Sequence, residues 1–280
     1  MTGSGAAIIA GVLGWPVAHS LSPRLHGYWL AHYKIDGAYV PLPVPPESFA
    51  QVVRLLPAMG FAGANVTVPH KEAALAAVDE ADETARRIGA VNTLVVRDDR
   101  SLFGTNTDAA GFLACLEEGA PRWRPDGGPV VLIGAGGAAR AVAVALLDAG
   151  VPEIRIVNRT AARAESLAIS VGGPFKVSLW PDRARALSDS SLVVNTTALG
   201  MTGQPALDLD LAHLPAGAAV LDIVYTPLET ELLKAARGWG ATAIDGLGML
   251  LHQARPGFAA WFGVDPEVTP ALRAHVLARP

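Results

Sequence analysis

The stretch Val130-Val131-Leu132-Ile133-Gly134-Ala135-Gly136-Gly137-Ala138-Ala139-Arg140-Ala141-Val142 joins four apolar residues, a glycine turn and the start of an alanine-rich run. The apolar run predicts a strand over Val130 to Ile133, and the segment after the glycines a helix over Ala138 to Ala149. A second strand from Glu153 to Asn158 completes a βαβ unit. Glycines at such a turn let a ligand approach the backbone, and the helix start offers unpaired N–H groups and positive potential. The alternative is a tight turn that merely packs a helix on a sheet; the strand before it and the helix after it favour a dinucleotide site. Gly134, Ala135, Gly136, Gly137, Ala138 and Ala139 are therefore expected around a cofactor pyrophosphate.

The end of the second strand narrows the cofactor. An NAD site places an acid about 20 residues beyond the glycines to hold the ribose 2′-hydroxyl. This chain has Asn158-Arg159-Thr160 there, followed by Arg163. No carboxylate repels a 2′-phosphate, and Arg159 and Arg163 could clamp one with charge-assisted bonds, Arg159 also covering the adenine face. The competing reading is two solvated arginines at a helix start.

Working outward, strands are predicted over Ala7 to Leu13, Ala38 to Pro41, Gly63 to Val68 and Val91 to Val96. Helices are predicted over Pro23 to Tyr33, which Pro23 can start, then Glu47 to Met59, Lys71 to Ala76 and Asp108 to Glu118. Such alternation favours a parallel or mixed α/β sheet. The segment Pro121 to Pro129 is rich in proline, glycine and charge, which places a domain boundary near it. Beyond the βαβ unit, strand Ser191 to Asn195 leads into Asn195-Thr196-Thr197-Ala198-Leu199-Gly200-Met201, and strand Ala219 to Val224 into Tyr225-Thr226-Pro227. Loops at the carboxyl ends of strands surround the ligand in a doubly wound sheet, although each could be a plain polar turn.

Composition excludes several classes. A chain of 280 residues, 51% hydrophobic, can bury real cores as one large or two modest domains. A net charge of -4 without a long basic run argues against nucleic acid and anionic membrane surfaces, leaving small molecules as partners. No uninterrupted apolar stretch reaches the roughly 18 residues of a membrane span. The apolar segment Ala6 to Ala18 is broken by glycines and Pro16 and has nothing basic before it, unlike a signal sequence. Cys115 is the single cysteine, so no internal disulfide forms and a cytoplasmic location is expected. His19, His26, His70 and His252 lack a metal-ligand arrangement, and no metal is implied.

Two runs carry the chemistry. Gly63-Ala64-Asn65-Val66-Thr67-Val68-Pro69-His70-Lys71 ends on a lysine, and Gly104-Thr105-Asn106-Thr107-Asp108 ends on an acid that could partner it. The chain uses lysine only at positions 34, 71, 176 and 234. Proton donation is one task arginine cannot take over, because its guanidinium stays protonated at any usable pH. Each residue also has a bland reading: Lys71 solvated, Ser22 or Asp108 capping a helix, Asn92 or Gln253 satisfying buried backbone. Acyl transfer by Ser20 beside His19 is disfavoured, since adjacent residues rarely face one another and no GxSxG elbow is present.

In combination these motifs resemble the shikimate dehydrogenase family. The resemblance runs from Gly14-Trp15-Pro16-Val17-Ala18-His19-Ser20-Leu21-Ser22-Pro23 through Asn65-Val66-Thr67, Lys71, Gly89-Ala90-Val91-Asn92-Thr93, Asn106-Thr107-Asp108 and the glycine turn. It continues to Asn195-Thr196-Thr197, Asp222 to Tyr225, and Gly246-Leu247-Gly248-Met249-Leu250-Leu251-His252-Gln253-Ala254, covering nearly the whole chain in family order. It implies two α/β domains with a cleft between them: a substrate-binding domain from residues 1–108 and 246–280, and a Rossmann-type NADP-binding domain from 109–245. The implied reaction is reversible reduction of 3-dehydroshikimate, with hydride from NADPH reaching C3 and Lys71 supplying the proton while Asp108 holds it.

By the same resemblance Ser20, Ser22 and Tyr225 meet the substrate carboxylate, and Asn65, Thr67, Asn92, Asp108 and Gln253 surround the ring hydroxyls. Glu83, Asn158, Thr160, Thr196, Ile223 and Gly246 join the cofactor side. Assembly as a monomer or homodimer is expected. The alternatives are an NAD-linked quinate/shikimate dehydrogenase, against which Ser22 and the arginine pair lean, and a non-catalytic NADP-binding protein, against which Lys71 and Asp108 lean. Gly27 and Thr226 stand where asparagine is common in the family.

Overall fold

The computed structural model describes residues 4–278. The chain divides into two compact units, the first built from both chain ends, up to Thr107 and from Leu250 onward, the second from Asp108 to Met249. The segment Pro121 to Pro129 thus lies inside the second unit. Its change of composition marks a long connection between a helix and a buried strand, not the division itself.

The first unit carries β1 (Ile8–Gly14), α1 (Ser22–His32), β2 (Gly37–Pro43), α2 (Phe49–Leu55), β3 (Phe61–Val66) and α3 (Lys71–Ala77). There follow β4 (Glu80–Ala81), α4 (Glu83–Ile88), β5 (Thr93–Val96) and β6 (Leu102–Thr105). The sheet order is β2-β1-β3-β5-β6-β4. The strands on either side of β1 run parallel to it, whereas β5 is antiparallel to both β3 and β6. The sheet is therefore mixed, as the alternation allowed.

Elements β4, α4 and β6 are additions to the sequence reading, and each has a local cause. Asp82 caps α4, its carboxylate accepting from the Ala85 N–H at 2.7 Å and from the Thr105 hydroxyl, and Gly89 ends the helix at φ 75°. Between β5 and β6 the chain turns at Arg100 (φ 67°), with the Asp99 carboxylate accepting from the Ser101 N–H at 2.9 Å. The core beneath gathers Phe49, Val53, Leu56, Val66, Ala74, Leu94 and Leu102.

The second unit opens with α5 (Asp108–Gly119), then β7 (Val130–Ile133), α6 (Gly137–Asp148), β8 (Ile154–Asn158), α7 (Ala161–Val171) and β9 (Phe175–Leu179). It ends with β10 (Leu192–Asn195), β11 (Ala219–Asp222), α8 (Glu231–Trp239) and β12 (Thr242–Ile244). All six strands are parallel, in the order β12-β11-β10-β7-β8-β9. Every residue of β7, β10 and β11 is buried, which is why they read as apolar runs with no alternation, unbroken in β7 and closed by Asn195 and Asp222 in β10 and β11. The order reverses between β7 and β10, and loops at the carboxyl ends of strands flank a ligand crevice at such a point. This is a Rossmann-type sheet.

A long helix, α9 (Leu247–Phe262), starts in the second unit and ends in the first, and α10 (Pro270–Leu277) follows it there. Trp261 on α9 donates its indole N–H to the Leu94 carbonyl at 2.9 Å. A side chain at Gly63 of β3 would collide with that indole and with the Leu94 carbonyl, so the helix packs directly on bare strand backbone. No helix among the described residues is long and apolar enough to cross a membrane.

Candidate active site

In the first unit three of the expected substrate residues, Asn65, Asn92 and Gln253, join Tyr39, Thr93 and Thr107 in one connected chain of polar groups. The Tyr39 hydroxyl donates to Asn65 Oδ1 at 2.6 Å, and Asn65 Nδ2 donates to Thr93 Oγ1 at 3.1 Å and to the Asn92 carbonyl at 3.3 Å. Thr93 Oγ1 donates onward to Asn92 Oδ1 at 2.9 Å, which also accepts the Thr107 N–H at 2.9 Å. Asn92 Nδ2 reaches Thr107 Oγ1 at 3.0 Å and Gln253 Oε1 at 3.3 Å, and Thr107 Oγ1 donates to the Gln253 carbonyl at 2.8 Å. These residues come from β2, β3, β5, the end of β6 and α9, so the chain ties five elements together. Satisfied networks of this kind hold amide side chains in one orientation.

Lys71 heads α3 on a turn that is tied on every side. Thr67 donates its N–H to the Leu13 carbonyl at 2.9 Å and accepts the His70 N–H at 2.9 Å. His70 is buried, its Nε2 lies 2.7 Å from the Val44 carbonyl, and its ring stacks on Phe49 at 4.3 Å. The Lys71 carbonyl accepts the Val91 N–H at 2.9 Å. The backbone that aims the lysine is thus rigid, and His70 has a packing role. Asp108 is buried in the first turn of α5, where the helix dipole favours a carboxylate. Ser22 is buried in the first turn of α1, and Ser20 accepts its N–H at 3.3 Å.

The second unit gathers most of the residues expected on the cofactor side at the carboxyl edge of its sheet. Gly134 has φ 117°, and a Cβ there would stand 2.6 Å from Thr196 Oγ1. Thr196 donates both its N–H (2.9 Å) and its hydroxyl (2.8 Å) to the Ile133 carbonyl, closing β7 against β10. By contrast, a Cβ at Gly136 or Gly137 would meet nothing, and no side chain caps the start of α6. Internal packing does not require glycine at those two positions. The bare N–H groups fit a phosphate.

Ile223 donates its N–H to the Asn195 carbonyl at 3.1 Å, and Gly246 packs against the Ile223 backbone. Asp222, fully buried, accepts from Asn195 Nδ2 (2.9 Å), Thr230 Oγ1 (2.7 Å) and the Val224 N–H (3.0 Å). Burial raises its carboxyl above the usual range, and those three donors oppose the rise. Tyr225 follows in the next loop, its phenol also raised by burial.

A cavity of about 100 Å³ opens at the end of β8, lined by Asn158, Arg159, Trp180, Thr197, Ala198, Leu199 and Gln204. Arg159 and Arg163 are exposed and form no ion pair among the described residues. Trp180 and Gln204 were not singled out in the sequence, because each lies in a separate loop with no motif and only the sheet order brings them to Arg159. Glu83 stands apart: it is exposed on α4 of the first unit, whereas the rest of the cofactor set lies at the edge of the parallel sheet or, for Gly246, in the turn before α9. No three His, Cys, Asp or Glu side chains among the described residues form a metal-holding group.

Residues 12–94 match the shikimate dehydrogenase substrate binding domain, and residues 124–202 match the shikimate / quinate 5-dehydrogenase family. The chain belongs to the shikimate dehydrogenase family. A relative from Paramagnetospirillum magneticum named shikimate dehydrogenase (NADP(+)) is 62% identical over 98% of this chain and 100% of its own. Among solved structures, the Thermus thermophilus shikimate 5-dehydrogenase in complex with NADP(H) and shikimate is 37% identical with a TM-score of 0.85, over 96% of this chain and 98% of that one. A quinate dehydrogenase from Corynebacterium glutamicum in complex with NAD is 32% identical with a TM-score of 0.89, over 97% and 99%. The first match falls on the unit with the polar chain, the second on the glycine turn and most of the cavity lining.

Proposed function

We propose that this member of the shikimate dehydrogenase family catalyses the reversible NADPH-dependent reduction of 3-dehydroshikimate to shikimate, in the cytoplasm, as a step toward aromatic amino acids. The observation that carries this reading is identity above half with relatives of that name over nearly the full length of both chains. The first unit is assigned to substrate, the second to cofactor.

NADPH, when bound, supplies a hydride to the substrate carbonyl carbon. Its pyrophosphate is assigned to the glycine turn from Gly134 to Ala139 with the uncapped start of α6, and its 2′-phosphate to Arg159 and Arg163. Lys71 donates the proton to the oxygen that becomes the new hydroxyl, and takes it back in oxidation. Asp108 is assigned to hold Lys71 and a ring hydroxyl. Ser20, Ser22 and Tyr225 take the carboxylate, while Asn65, Thr67, Asn92 and Gln253 take the remaining hydroxyls. A polyhydroxylated acid needs this many partners, because each buried hydroxyl left unpaired costs about 1–3 kcal/mol. Reducing-compartment residence is supported by the single buried cysteine, Cys115. The assembly is proposed as a monomer or homodimer.

Purified protein given shikimate and NADP is expected to show rising absorbance of the reduced nicotinamide. Inactivity in folded, cofactor-bound protein would overturn the enzyme reading and leave a binding protein. Preference for quinate with NAD would favour the second reading, for which the likeness to the NAD-bound quinate dehydrogenase speaks and the arginine pair speaks against.

Trp180 lines the cavity together with Arg159, and the Arg183 guanidinium lies 5.1 Å from the centroid of its indole, so the indole is assigned to the face of the adenine. Trp180→Ala is expected to weaken NAD and NADP alike, by about 5- to 150-fold if stacking contributes its usual 1–3 kcal/mol. Titration of both cofactors checks this, and an effect confined to NADP would remove the adenine from this wall.

A further inference from the structure

The buried histidine of α1 has no place in the chemistry above, yet it sits one ring away from it. His26 is wholly inaccessible, and neither ring nitrogen has a hydrogen-bond partner. Desolvation pushes its pKa down to about 3, so the ring is neutral throughout the working range. An imidazole buried without partners forfeits two solvated polar atoms, and a leucine or phenylalanine would fill the core without that loss.

What the ring does instead is stack. It lies flat on Tyr39, centroids 3.9 Å apart and planes 3° from parallel, with Trp29, Phe258 and Trp261 around it at 5.7, 5.8 and 5.8 Å. Tyr39 is itself buried, and its hydroxyl makes the 2.6 Å bond that fixes which way the Asn65 carboxamide points. With Oδ1 held by Tyr39, Asn65 Nδ2 is turned to Thr93 and the Asn92 carbonyl, and the rest of the polar chain follows. The Ser22 hydroxyl faces the same Tyr39 oxygen and opposes the rise that burial imposes on the phenol. One aromatic ring thus touches two residues assigned to substrate.

We propose that His26 is a positioning residue of the substrate subsite: its imidazole holds Tyr39 by stacking, and through the Tyr39 hydroxyl it sets the orientation of Asn65 and Ser22 toward the ligand. The inference deepens the functional reading given above and rests on it.

The test is a double-mutant cycle in the full-length enzyme. Tyr39→Phe keeps the stack and removes the link, and His26→Leu keeps the volume and removes the stack. Each is expected to raise KM for shikimate about 3- to 10-fold, the loss of one net hydrogen bond, with KM for NADP unchanged. His26→Phe should raise it less than His26→Leu. In the double variant His26→Leu/Tyr39→Phe, the His26 effect should vanish, since both changes break one path. Additive effects, equal rises in both KM values, or an unaltered shikimate KM in His26→Leu would overturn the proposal. Should His26→Leu fail to fold, the His26→Phe and Tyr39→Phe pair closes the same cycle. A parent enzyme inactive on shikimate would instead sink the functional reading, which keeps the two failures distinct.

Discussion

Lys71→Ala is expected to lower turnover by about 10²–10⁴-fold while leaving the KM for shikimate nearly unchanged, the pattern of lost acid–base assistance. Lys71→Arg should be almost as slow, because a guanidinium keeps charge and hydrogen bonds but does not release its proton at usable pH. The rigid setting of this residue makes the comparison clean. Its turn is pinned by the Thr67–Leu13 and Lys71–Val91 backbone bonds and by the buried His70, so neither substitution needs to move the backbone. Steady-state kinetics in both directions decide the matter. Near-normal turnover in Lys71→Ala would reduce the lysine to a structural or solvated residue.

Replacing Arg159 or Arg163 is expected to cost about 1.5–3 kcal/mol of NADP binding, or roughly 10- to 150-fold, while NAD binding changes little apart from any stacking lost with Arg159. The double replacement should narrow the NADP/NAD ratio of kcat/KM. Both guanidinium groups are exposed, so added salt should narrow the same ratio in the parent by screening the clamp. Together with Trp180→Ala this separates two contributions: the arginines act on the 2′-phosphate, the indole on the base common to both cofactors. If the arginine variants weaken both cofactors equally, the pair supports the loop or the adenine, and NADP selectivity lies elsewhere.

The parallel sheet was legible in the sequence because its signals are local and reinforce one another. Buried strands such as Val130–Ile133 are apolar at every position, and the glycine turn falls between a strand and a helix. The first sheet was read less fully. β4 has two residues and β6 four, too short for periodicity to register, and α4 has six. Its long predicted helix over Glu47 to Met59 is a 3₁₀ turn at Pro46–Ser48 followed by the seven residues of α2. Residues at fixed spacing from a motif, such as Lys71, Asn92 and Arg159, could be named from sequence. Tyr39, Trp180 and Gln204 could not, since their neighbours are set by strand pairing and sheet order across intervals that carry no pattern.

Trp261 lying on the backbone of Gly63 bears on how the protein is made. The indole that closes the first sheet is made after residues 108–249, which form a continuous segment that is complete before it. The strands of the first sheet, made earlier, must therefore wait, with β3 and β5 uncovered on that side, until α9 emerges. Biogenesis runs against sequence order here: the unit begun second has all its parts first, and the nascent amino-terminal sheet is the stage most exposed to misassociation.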